Sequence, residues 1–196
     1  MGKGTMEGMR IICVCTGNKF TQWHVDNLKH MIDTYSGIQY SEFVCVSEDL
    51  YNGVYNKLLI FDKFRTGKNL FFDLDIVIHD RIPDLTAKKL SLVNCWWRDK
   101  WHTPLNSSIM SWTGDQSHIY NKFKNDKEHY LEKYHKGIDE FIYKEVSYDL
   151  LPDVCYSMQG QEYKIKNKKY PICLLNQRQV YMEPGWNGWW KDYFIS

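Results

Sequence analysis

A chain of 196 residues is long enough for a core of its own and short for two domains, since a domain of this size hides ~70% of its unfolded surface. Its 25 Lys and Arg stand against 24 Asp and Glu, so no broad positive field exists to recruit nucleic acid. No apolar run reaches the ~18 residues of a membrane-spanning helix and no secretory leader pattern is present, so a cytoplasmic protein without a transmembrane segment is the expectation.

In chain order, residues 1–9 read as a flexible leader to one domain over 1–196. The apolar, β-branched run 11–15 predicts a buried parallel strand, ending in the turn signal Thr16-Gly17-Asn18. Val25, Leu28, Met31, Ile32 and Tyr35 recur at helical spacing and predict a helix over 21–35. A strand at 43–46, a short helix at 57–64 and strands at 70–74, 90–95 and 107–112 follow. Helices over 116–124 and 138–147 come next. Strands at 154–157 and 172–175 close the sheet, and a Trp-rich tail, 185–195, packs last. Strands alternating with helices predict an α/β fold with a mostly parallel central sheet flanked by helices. The six cysteines fall mainly in apolar runs and contain no C-x-x-C, as expected of reduced core thiols. The seven histidines form no zinc-type grouping.

The most informative segment is Asn69-Leu-Phe-Phe-Asp73-Leu-Asp75-Ile-Val-Ile. Strand-forming residues run into two carboxylates at i and i+2, which strand alternation would turn to one face. The end of a strand is also where ligands bind in open α/β sheets. Carboxylates without Cys or His favour a hard ion, Mn²⁺ or Mg²⁺, able to bridge phosphate oxygens and stabilise a leaving diphosphate.

Two families carry such a motif. The stretch 70–77 is similar to the opening motif of haloacid-dehalogenase phosphatases, an alternative that would use Asp73 and Asp75 on a phosphoester. There the motif begins the domain, whereas here a whole strand-helix-strand unit precedes it. Gly114-Asp115 also lacks the acid expected four residues on. More of the chain, from about residue 10 to 176, resembles small single-domain GT-A glycosyltransferases of bacteria, phages and large viruses, and more distantly the glycogenin-like enzymes. The resemblance rests on the order of the first strand with Thr16-Gly-Asn18-Lys19, the helix 56–61, the D-x-D strand, Leu105-Asn106-Ser107-Ser108-Ile-Met, and Gly137-Ile-Asp139-Glu140-Phe-Ile.

That resemblance implies a metal-dependent transfer of a sugar from a nucleotide-diphosphate donor, UDP-linked by analogy, to a carbohydrate or protein-linked glycan acceptor. It places Asp75 on the ion and Asp73 on the ion or the ribose. Thr16, Asn18 and Lys19 belong to the nucleotide loop, and Lys57 lies near phosphate or base. Asn106, Ser107 and Ser108 line the donor-sugar pocket, with Asp139 or Glu140 as base or charge stabiliser. One departure concerns the third metal ligand, usually a histidine, where this chain has Asn176 with a carbonyl oxygen to offer. A further alternative is a non-catalytic carbohydrate-binding module using Trp96, Trp97, Trp101, Trp112, Trp186, Trp189 and Trp190.

Overall fold

The computed structural model describes residues 8–51, 53–98, 102–158, 166–176, 182 and 188–195. Strand β1 (Met9–Val14) lies between β2 (Tyr40–Val46) and β3 (Lys68–Phe72) and runs parallel to both. A strand with neighbours on both edges and layers on both faces must be apolar throughout, which explains its IICV run. It begins at Met9, so that residue of the expected flexible stretch 1–9 belongs to the strand; residues 1–7 lie outside the described ones.

Helix α1 (Gln22–Met31) links β1 to β2 and buries Val25, Leu28 and Met31. A π-helical turn, Ile32–Ser36, extends it before Gly37 ends the run at φ 71. The expected short helix is a 3-10 segment, Gly53–Leu58, running into α2 (Leu59–Lys63).

On the far side of β3 the direction reverses. The sheet order is β2-β1-β3-β6-β5-β7, with β5 at Ser91–Asn94, β6 at Leu105–Thr113 and β7 at Asp149–Leu150. The β3–β6 and β5–β6 pairs are antiparallel, and the other three pairs are parallel. Helices α3 (Ser117–Asn125) and α5 (Ile138–Glu145) match expectation. Helix α4 (Lys127–Lys133) was not foreseen; it buries no residue and so shows no apolar stripe.

The sequence reading placed 154–157 and 172–175 in the main sheet, and the structure corrects this. Strands β8 (Cys155–Ser157) and β9 (Ile172–Leu174) form a second sheet with β4 (Ile76–Ile78), in the order β4-β9-β8. The physical reason lies in the Ile-Val-Ile run after the D-x-D turn. Its buried backbone groups need partners, and β9 supplies them in antiparallel register.

Period-two alternation divides the core between the faces of the main sheet. Ile11, Leu70 and Phe72 pack against α1, the second sheet and the C-terminal segment. Ile12, Phe71, Met110 and Trp112 pack against α2, α3 and α5. Each fully buried large side chain contributes about 1.5–3 kcal/mol.

The tail ends in a 3-10 turn, Trp189–Tyr193, with Trp190 fully buried. Trp112 is also core, while Trp97 and Trp189 are partly buried and Trp96 is 41% exposed. Among the described residues these do not form one flat aromatic face; Trp101, Trp186 and residues 185–187 lie outside them. Among the described residues no helix is long and apolar enough to cross a membrane.

Candidate functional site

Parallel strands deliver their C-terminal ends to one edge of a sheet, and a cleft of about 860 Å³ opens there. Thr16, Lys19, Lys57, Asp73, Asp75, Asn106, Ser107, Ser108, Asp139 and Asn176 all line it. These positions span 160 residues of chain, and the fold alone brings them together. Two predicted residues are not in the lining. Asn18 is exposed on the loop after β1. The Glu140 carboxylate instead accepts the Lys136 backbone N–H at 3.1 Å, closing the start of α5.

The carboxylates lie just beyond β3, in a turn rather than in the strand as expected. Their common orientation therefore comes from the 73–75 turn between β3 and β4. Asp73 is anchored by its own N–H, which donates to the Ser108 carbonyl at 2.8 Å. Lys57 Nζ grips both of its carboxylate oxygens, at 2.6 and 2.7 Å. Burial raises the Asp73 carboxyl above its ordinary range and the Asp75 charge adds to this, while Lys57 and the Ser108 hydroxyl oppose it. Asp75 has Lys19 Nζ at 3.8 Å, and its carbonyl accepts the Leu175 N–H at 2.9 Å. That bond draws the exit of β9, and with it Asn176, up to the D-x-D turn.

Asn176 has a positive φ of 48°, a conformation asparagine and histidine tolerate better than most residues. Its amide nitrogen donates to the Ser157 hydroxyl, leaving Oδ1 as the group it can offer the cleft. Two carboxylates and an amide oxygen are a hard donor set suited to Mg²⁺ or Mn²⁺. Among the described residues no three His, Cys, Asp or Glu side chains are grouped so that they could hold a metal ion by themselves. An ion here would therefore complete its shell with phosphate oxygens and water.

The other end of the cleft is built around Asp139. Its Oδ1 accepts Ser107 N–H at 2.9 Å and Ser107 Oγ at 2.6 Å. Oδ2 accepts Arg98 Nη1 at 2.8 Å and Asn106 Nδ2 at 3.4 Å. A bulge makes this possible. The β5–β6 register jumps from Leu92↔Met110 to Val93↔Asn106, so residues 107–109 have no β5 partner. The Ser107 N–H turns to Asp139, and the Ser108 N–H to Asn106 Oδ1 at 2.9 Å.

Sequence reasoning missed Arg98, His102, His135 and Lys136, which also line the cleft. Burial first, then the Arg98 and Lys136 charges, push the His102 pKa below its ordinary value. Asn56 was missed as well. Its amide donates to Thr16 Oγ1 at 3.2 Å and Asp49 at 2.7 Å, and its carbonyl accepts the Leu50 and Tyr51 N–H groups. It ties the loop after β1 to the 3-10 segment that carries Lys57.

No protein-family model and no curated protein sequence matches the chain. Solved structures do match. The glycosyltransferase GlyE of Streptococcus pneumoniae aligns over 98% of this chain and 61% of its own, with TM-score 0.64 and 10% identity. LgtC, a galactosyltransferase solved with donor and acceptor sugar analogs, aligns over 94% of this chain and 93% of its own, with TM-score 0.63 and 8% identity. The fold is of the GT-A type. A glycosyltransferase involved in glycosylation of the major capsid of PBCV-1 shares it at 16% identity and TM-score 0.60, over 86% of this chain and 93% of its own. At these identities the likeness is one of fold, and the GT-A domain's site stands on its own geometry. The matching solved structures are glycosyltransferases, and in this chain a complete β1-α1-β2 unit precedes the D-x-D turn, so the phosphatase alternative is not favoured.

Proposed function

We propose that this GT-A domain transfers a sugar, hexosyl or pentosyl, from a UDP-linked donor to a carbohydrate or protein-linked glycan acceptor. The observation that carries the reading is the convergence on one cleft of the β1 loop, the D-x-D turn, the Asn106–Ser108 bulge and Asn176. The fold it shares with glycosyltransferases, one of them solved with donor and acceptor sugar analogs, supports the same reading.

Asp73, Asp75 and Asn176 would hold Mn²⁺ or Mg²⁺, which when bound supplies positive charge to the departing diphosphate. Thr16 and Lys19, with Asn18 on the same loop, receive the nucleotide. Lys57 holds Asp73 in place and adds a cation beside the phosphates. The bulge at Asn106–Ser108 lines the sugar pocket. Asp139 lies beneath it, fixed by Arg98, where its charge stabilises the positive character a transferring sugar develops at its anomeric carbon.

The test is calorimetry of UDP binding with Mn²⁺ present, on the wild type and Asp75→Asn. The substitution keeps shape and removes one charged ligand, so affinity should fall at least tenfold. Equal affinity in the two proteins would overturn the assignment.

A further inference from the structure

All six cysteines are free thiols, and three of them gather where β1 and β2 reach the site edge. Cys13 stands directly opposite Cys45 in the parallel register. Cys15, two residues after Cys13, is on the same side, and all three pack against the α1-side core. Cys13 is fully buried, whereas Cys45 and Cys15 are half-buried. The proposed transfer reaction uses none of them.

We propose that Cys45 and Cys13 form a peroxide-responsive pair that closes to a disulfide between β1 and β2. Opposed residues on adjacent strands have Cα atoms ~4.8 Å apart, inside the ~4.4–6.8 Å range that a disulfide spans. Cys15 lies ~6.6 Å further along the strand, which puts its Cα roughly 8 Å from that of Cys45 and beyond reach. The geometry therefore selects Cys13 as the partner.

The two thiols are also unequal. Hydrogen bonding from Cys13 holds Cys45 below the ordinary thiol range, while that bond and burial raise Cys13. The more open sulfur is thus the one whose thiolate is favoured. Burial holds Cys95 and Cys173 up at about 12, so those thiols stay inert.

Chemically, the Cys45 thiolate attacks a hydroperoxide oxygen, forming S–O as O–O breaks. With hydrogen peroxide, the departing hydroxide takes a proton to become water and leaves Cys45 as a sulfenic acid. The Cys13 sulfur then attacks the Cys45 sulfur. S–S forms, S–O breaks, and a second water leaves with the Cys13 proton. Two electrons pass from the thiol pair to the peroxide. The bridge would pin the strand that leads directly into the Thr16–Lys19 loop. This inference is independent of the reading of the cleft.

The experiment treats the full chain with hydrogen peroxide at near-stoichiometric dose, alkylates the remaining thiols, and maps digests by mass spectrometry with and without dithiothreitol. The expected result is loss of two thiols and a reducible cross-linked peptide pair carrying Cys13 and Cys45. Cys13→Ser should instead leave Cys45 as a dimedone-trappable sulfenic acid with no bridge. A bridge from Cys45 to Cys15, or a Cys45 still fully alkylated at doses that oxidise glutathione, would overturn the proposal. The wild-type map decides this even if a serine variant fails to fold.

Discussion

Replacing Arg98 by Met tests whether Asp139 is held by charge. Met keeps much of the apolar stem and removes the guanidinium. Both partners are largely shielded, with side-chain exposures of 14% for Arg98 and 10% for Asp139. Stripping one member from such a pair typically costs ~3–5 kcal/mol, because a buried charge is left uncompensated. Asp139 would keep its bonds from Ser107 N–H, Ser107 Oγ and Asn106, and it borders the cleft, where water can approach. The lower end, about 3 kcal/mol, is therefore expected. For a chain of this size that corresponds to a fall of ~6–12 °C in melting temperature. Urea denaturation of wild type, Arg98→Met, Asp139→Asn and the double variant closes a thermodynamic cycle. Arg98→Met should be the least stable single variant, and Asp139→Asn in its background should recover roughly half the loss or more by removing the orphaned charge. A loss below ~1 kcal/mol, or a double variant showing strict additivity, would refute an electrostatic hold.

Asn176→Ala should weaken Mn²⁺ binding several-fold in metal titrations, while Asn176→His should retain it, because imidazole is an acceptable ligand and histidine tolerates this backbone; two variants equal to wild type would make Asn176 only a turn residue. Asp139→Asn should keep UDP affinity near wild type and lose most donor hydrolysis or transfer, by ~10²-fold or more. Glu140→Gln, altering only a helix-start contact, should leave turnover within a few-fold. Acid stability should carry the signature of Glu145, whose carboxylate accepts the Tyr134 hydroxyl and pairs with Lys122 at 2.9 Å and Lys133 at 3.2 Å. These partners lower it from 4.5 to about 2. Its contribution is thus complete above the unfolded value and disappears as pH falls through about 2. Glu145→Gln should be less stable at neutral pH and show a shallower decline across that acid window in pH-dependent melts.

Local pattern made β1, α1 and the D-x-D strand legible, since each is a run whose period states its environment. The cleft was legible to the extent that polar residues interrupt such runs at strand ends, Thr16 after β1 and Asp73 after β3, whereas Asn176 after β9 was marked by the family resemblance alone. The second sheet was not. Ile76–Ile78 is too short to declare its partner, and nothing local distinguishes β8 and β9 from strands of the main sheet. Arg98 stayed hidden for a related reason. An arginine after Trp96-Trp97 carries no pattern, and its role exists only because Asp139, 41 residues on, is buried beside it. Asp139 and Glu140 illustrate the limit of adjacency, being neighbours on one helix turn of which only the first reaches the cleft.

The bulge in β6 also makes the site self-reporting. Between paired strands a backbone amide is protected from solvent hydrogen by the neighbouring strand, and its exchange rate reports how often the sheet opens. The amides of Ser107 and Ser108 are held instead by the side chains of Asp139 and Asn106. A rotamer change at either side chain can free its proton while β3 and β6 remain paired through Phe72↔Ile109. Hydrogen exchange at these two positions is thus decoupled from global unfolding, and a sugar that settles over the bulge should slow it without touching the rest of the sheet.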